Sequence, residues 1–81
     1  MYYVYILRSV ADTRQTYVGT TQNLRARLAQ HNSGKSIHTN KFKPWTVQFY
    51  AAFPHRNLAA NFERYLKTGS GRAFAARHLL A

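Results

Sequence analysis

The chain has 81 residues, with twelve Lys and Arg against two Asp and Glu, a formal net charge of +10 and a sequence pI near 10.8. The absence of cysteine excludes a disulfide framework and any thiolate metal site, and no apolar run approaches the roughly eighteen residues of a membrane span. Such a chain is expected to be one domain, residues 1–81, cytoplasmic and without a leader or a membrane partner, whose basic residues, spread from Arg8 to Arg77, attract a polyanion and nucleic acid above all.

Tyr2 to Arg8 alternates Tyr3, Tyr5 and Leu7 with Tyr2, Val4 and Ile6 and predicts a strand covered on both faces. Polar residues around Asp12 form a turn, Gln15 to Val18 resumes strand character, and Gly19 is expected to end it, so the pair reads as an antiparallel hairpin. Thr20, Thr21 and Asn23 are candidate caps for a helix that Asn32-Ser33-Gly34 stops. The basic stretch Lys35 to Pro44 predicts a loop with at most a helical turn, either a phosphate-contacting arm carrying Lys35, His38, Lys41 and Lys43 or an ordinary solvated connection. A third strand is expected over Trp45 to Phe53, with Trp45, Val47, Phe49, Ala51 and Phe53 alternating against Thr46, Gln48, Tyr50 and Ala52, and Pro54 ends it. Helical patterning then covers Asn57 to Lys67, breaks at Thr68-Gly69-Ser70-Gly71, and resumes from Arg72 to Leu80. Gly69-Ser70-Gly71 is read as following a helix instead of opening one. The order β-β-α-β-α-α implies an α+β domain, a small three-stranded antiparallel sheet flanked by helices.

Two helical stripes carry unexpected polar groups. In the first helix, positions 24, 27, 28 and 31 follow i, i+3, i+4, i+7 spacing and read Leu24, Arg27, Leu28, His31, which aims a guanidinium and an imidazole at the sheet. Taken singly, each could instead snorkel to water over its apolar stem. The second helix places Ala59, Phe62, Glu63 and Leu66 on one stripe, so the only glutamate of the chain lies on the apolar face. An i, i+4 pair with Lys67 is its alternative role. Arg27, His31 and Glu63 are expected to form one constellation over the sheet. With Asp12 in a turn, a several-carboxylate two-metal site is disfavoured, whereas a single Mg²⁺ or Mn²⁺ held by one carboxylate, waters and a substrate phosphate is compatible with these residues. Metal-assisted phosphodiester hydrolysis suits both the charge and the site.

In this order and spacing the residues resemble the GIY-YIG endonucleases. Tyr3-Val4-Tyr5-Ile6-Leu7 looks like the first signature with Tyr3 in place of its glycine, Tyr17-Val18-Gly19 matches the second, and Asn23-Leu24, Arg27, His31 and Glu63 within Phe62-Glu63-Arg64-Tyr65-Leu66-Lys67 follow. The similarity spans nearly the whole chain. It is greatest to small stand-alone bacterial members, related to the N-terminal nuclease domain of the bacterial ABC excinuclease and to phage homing endonucleases. It implies a GIY-YIG fold and a DNA endonuclease with a repair setting, using one Mg²⁺ or Mn²⁺ ion. Tyr17 would act as general base or orient the attacking water, with His31 a second candidate base. Tyr5 would support the site, Arg27 would stabilise the charged phosphorane, and Glu63 would hold the metal. His38 would reach the substrate, and Lys67 and Arg72 would add nucleic-acid contacts. The expected partner is duplex or branched DNA read with little sequence specificity, and a homodimer or a larger protein partner would supply more. The Asn that many members carry in the C-terminal helices is missing, as no Asn follows Asn61. The alternative is a non-catalytic nucleic-acid-binding module of the same fold.

Overall fold

The computed structural model describes residues 1–80. Strands β1 (Tyr2–Ser9), β2 (Thr16–Thr21) and β3 (Trp45–Phe53) form one antiparallel sheet in the order β2-β1-β3, and helices α1 (Leu24–Asn32), α2 (Arg56–Leu66) and α3 (Gly69–His78) cover it. This is the expected α+β order. The arm between α1 and β3 holds one 3-10 turn at Asn40–Phe42. Among the described residues no helix is long and apolar enough to cross a membrane.

β1 lies in the middle of the sheet, and Val4, Tyr5, Ile6 and Leu7 are each at most 1% exposed. Alternation sends Val4 and Ile6 to one face, where Ala59 and Leu66 of α2 and Ala75 of α3 close an aliphatic core. Each large apolar side chain removed from water contributes about 1.5–3 kcal/mol. Tyr5 and Leu7 go to the other face, where they join Trp45 with Leu24 and Leu28 of α1. The two cores are thus separated by the sheet, with α1 on one side and the α2–α3 pair on the other.

Three features differ from the sequence reading. β2 runs on through Gly19 to Thr21, because Gly19 pairs with Tyr5 inside the ladder. The odd-numbered residues of β3 do not share a face. Ile6 pairs with Phe49 but Leu7 with Val47, so Gln48 is the extra residue of a bulge; Trp45 and Val47 therefore turn to the α1 side while Phe49 and Phe53 turn to the α2–α3 side. Finally, Gly69-Ser70-Gly71 is the first turn of α3, capped by the Thr68 hydroxyl, which accepts from the Gly71 amide at 3.0 Å. Gly71 is placed where a Cβ would overlap the carbonyl of Tyr65, so a residue without a side chain is what lets α3 fold back tightly against the end of α2.

Candidate active site

The phase of α1 is set at its first residue. The Asn23 side chain accepts from the Ala26 amide at 3.0 Å and caps the helix, which turns Leu24, Arg27, Leu28 and His31 to the sheet while Arg25, Ala26, Ala29 and Gln30 stay exposed. Beneath them Tyr5 rises from the central strand. Its hydroxyl lies over Gly19 of β2, where any Cβ would come within 2.6 Å of it, so the glycine of the Tyr17-Val18-Gly19 signature provides the space this phenol occupies.

The Tyr5 hydroxyl is the hub of the site. Arg27 Nε donates to it at 3.3 Å, and His31 Nε2 lies 3.2 Å from it. Burial raises the Tyr5 pKa against the opposing pull of Arg27, so the phenol is neutral at pH 7. Contact with Tyr5 favours the charged form of Arg27, whose Nη1 also donates to Gln30 Oε1 at 2.9 Å. His31 has no solvent exposure, and its Nδ1 stands 2.7 Å from Thr39 Oγ1. Burial, followed by the nearby Arg27 charge, lowers its pKa and keeps it neutral. The Tyr17 ring, half-buried at the rim, packs 4.8 Å from the His31 ring and 6.3 Å from the Tyr5 ring, centroid to centroid.

Tyr5, Tyr17, Arg27 and His31 therefore come together on one face, and Glu63 makes no direct contact with them. α2 packs on the opposite side of the sheet. The Glu63 carboxylate, 24% exposed, pairs with Lys67 Nζ at 3.0 Å, and reaches the Tyr5 hydroxyl only through its field, which adds to the upward shift of that phenol. Glu63 does lie on the predicted stripe, between buried Ala59 and Leu66. Asp12, in the β1–β2 turn, is occupied by Arg14 at 3.1 Å, a contact that lowers its pKa. Among the described residues no three His, Cys, Asp or Glu gather into a metal-holding group. What remains is one partly solvated carboxylate, a donor set that suits an ion keeping most of its water.

The basic residues fall in two places. Lys35, His38, Lys41 and Lys43 lie on the arm that joins α1 to β3. Lys67 and Arg72 border a cavity of about 580 Å³ between β2 and the α2–α3 pair, together with Arg14, Tyr17, Val18 and Leu80. Sequence reasoning missed three residues. Thr39 is 1% exposed although it lies in a polar loop. Asn32, beyond stopping the helix, holds both the amide and the carbonyl of Trp45 and so anchors the start of β3. Tyr50, 56% exposed, lies edge-on to Tyr3 at the open end of the α1 face. Only the exposed aromatic carried a signal in the sequence, as the one ring among Thr46, Gln48, Tyr50 and Ala52.

Comparison with known proteins bears on this geometry. The model of the GIY-YIG catalytic domain matches residues 1–75. The structure-specific endonuclease subunit SLX1 of Candida dubliniensis is 39% identical over 85 residues, covering 96% of this chain and 28% of its own length. The UPF0213 protein of Streptococcus pyogenes serotype M3 is 32% identical over 81 residues, covering 94% of this chain and 86% of its own. The chain thus spans under a third of that SLX1 relative and most of the bacterial one.

Proposed function

The chain belongs to the GIY-YIG family, and from that premise we propose that it is a DNA endonuclease that hydrolyses phosphodiester bonds with one divalent ion, Mg²⁺ or Mn²⁺. The observation that carries the proposal is the Tyr5 hub: a charged guanidinium, a neutral phenol and a neutral imidazole held together on the sheet face beside Tyr17. A merely structural contact would not require a cation to be kept at the edge of an apolar core.

In this reading the scissile phosphate lies against Arg27, whose planar donors neutralise the charge that builds on the phosphoryl oxygens as water attacks. Tyr17, the phenol of the set that reaches solvent, orients that water and, in its ionised form, would take its proton; the P–O bond to the leaving oxygen breaks as the new one forms, and solvent supplies the proton that the leaving oxygen takes up. His31 is given a positioning role in place of that of a second base, because both ring nitrogens are engaged and no solvent reaches it. Glu63 would hold the metal after exchanging Lys67 for it, and the ion would supply charge neutralisation at the phosphate. Lys35, His38, Lys41 and Lys43 on one side and Lys67 and Arg72 on the other contact backbone phosphates, which position a strand without reading its sequence. The name of the SLX1 relative, a structure-specific endonuclease subunit, supports branched DNA as substrate and a partner protein as the source of further specificity.

One observation favours the second reading, a binding module without catalysis: the lone carboxylate is already paired with Lys67. Incubation of the purified protein with plasmid, branched and single-stranded DNA, with Mg²⁺ or Mn²⁺ and with chelator, separates the two. Divalent-dependent strand breaks are expected; DNA binding with no cleavage of any substrate supports the binding module instead.

A further inference from the structure

The arm between α1 and β3 contributes one buried polar side chain, Thr39, and it ends in the candidate active site. Thr39 is 1% exposed, its carbonyl accepts from Trp45 Nε1 at 2.8 Å, and its hydroxyl lies 2.7 Å from His31 Nδ1. One assignment of the protons satisfies every polar atom of both the phenol and the imidazole. Arg27 Nε can only donate, so at that contact the Tyr5 oxygen accepts. The phenol is neutral and 1% exposed, and its own proton needs an acceptor. His31 Nε2, at 3.2 Å, is the acceptor that its hydrogen bonds provide. A neutral imidazole that accepts at Nε2 must carry its proton at Nδ1, and that N–H in turn needs an acceptor inside the protein. Thr39 Oγ1 is that acceptor.

We propose that Thr39 is a positioning residue of the active site: by accepting from His31 Nδ1–H it holds the imidazole in the tautomer that receives the Tyr5 proton, and this leaves the Tyr5 lone pair aimed at Arg27. The proposal deepens the nuclease reading and rests on it for its catalytic consequence, whereas the tautomer itself is a property of the free protein. Without the hydroxyl, Nδ1–H would be buried with no acceptor, and the imidazole would move its proton to Nε2. Tyr5 would then accept from two donors, its own proton would turn outward, and the Arg27 contact would lose its geometry. Thr39 acts through His31 and Tyr5, and its exposed neighbours on the arm, His38 and Asn40, have no part in the chain.

The test compares wild type, Thr39→Val, which keeps the shape and removes the hydroxyl, and Thr39→Ser, which keeps the hydroxyl. Ring ¹⁵N shifts of His31 in the metal-free protein are expected to report the Nδ1–H tautomer in wild type and Thr39→Ser, and Nε2–H in Thr39→Val. Single-turnover cleavage of DNA is expected to slow about 10–100-fold in Thr39→Val, with the Kd for DNA little changed and near wild-type rates in Thr39→Ser. A Thr39→Val protein that keeps the Nδ1–H pattern, or one that cuts at the wild-type rate, overturns the proposal. If Thr39→Val is unfolded at the assay temperature, the wild-type spectrum decides alone, since an Nε2–H tautomer there overturns it. A wild type that cuts no DNA refutes the nuclease reading and leaves the spectra to judge the tautomer.

Discussion

The two faces of the sheet are built from alternate residues of the same strand, yet they are different materials. Val4 and Ile6 look toward Ala59, Leu66 and Ala75, a surface without a polar atom to satisfy. Tyr5, one residue away, looks toward Arg27, His31 and, through His31, Thr39. The aliphatic face stabilises in proportion to the area it removes from water. The polar face returns little net stability, because each buried hydrogen bond replaces one to solvent, but it fixes directions. The difference teaches that the α2–α3 side keeps the domain folded while the α1 side uses that rigidity to hold a guanidinium, a phenol and an imidazole in register.

Glu63 tests the division most severely, since it belongs by helix to the first face and by proposed role to the second. Glu63→Gln is expected to abolish divalent-dependent nicking of plasmid while DNA affinity holds or rises slightly. Its melting in chelator should change little, because the Lys67 pair it breaks contributes only about 0.2–0.5 kcal/mol. A variant that still nicks near the wild-type rate would remove Glu63 from the mechanism.

Neighbours on β1 separate the faces directly. Ile6→Ala should cost about 2–5 kcal/mol in denaturant unfolding, with the cleavage rate per folded molecule unchanged. Tyr5→Phe should cost closer to about 1 kcal/mol and yet lose most of the cleavage. If the stability losses were reversed, the polar face would be holding the fold.

Arg27→Lys keeps the charge but loses the planar fork, and its cleavage rate is expected to fall about 100-fold or more with binding nearly intact. Arg25→Lys, on the exposed side of the same helix, serves as control. Equal behaviour of the two would mean that α1 presents a different face.

The smallest effect is that of pH. His31 is buried neutral, with a pKa below its ordinary 6.5. Between that lowered value and about 6.5 the unfolded chain binds the proton and the folded one does not, so stability should be level above about pH 6.5 and fall on acidification below it. The slope for one proton is at most about 1.4 kcal/mol per pH unit. Denaturant midpoints followed from neutral to mildly acidic pH would show it, and a His31→Asn variant should flatten that part of the profile. An unchanged profile in the variant would assign the acid sensitivity to other groups.

Local chemistry determined much of this protein in the sequence itself. Alternation in Tyr2–Leu7 marks a strand with two buried faces, the Asn23 cap and the Leu24, Arg27, Leu28, His31 stripe mark the inward side of α1, and the signatures mark Tyr5 and Tyr17. These are properties of a few adjacent residues and of fixed helical or strand periods. Tertiary structure decided what depends on pairing between distant segments. The bulge at Gln48 exists only in the register of β3 against β1, and it sends Phe49 and Val47 to opposite faces although their spacing predicts one. Gly69-Ser70-Gly71 looks like a break, but the close approach to Tyr65 makes it the start of α3. Glu63 lies on the stripe its spacing predicts, and only the packing shows that its carboxylate pairs with Lys67 and touches neither Arg27 nor His31. Thr39 carries no local mark at all, because a threonine in a polar loop becomes a partner of His31 only when the loop folds under the helix. Burial and direction are set by what the rest of the chain brings alongside, and periodicity contains neither.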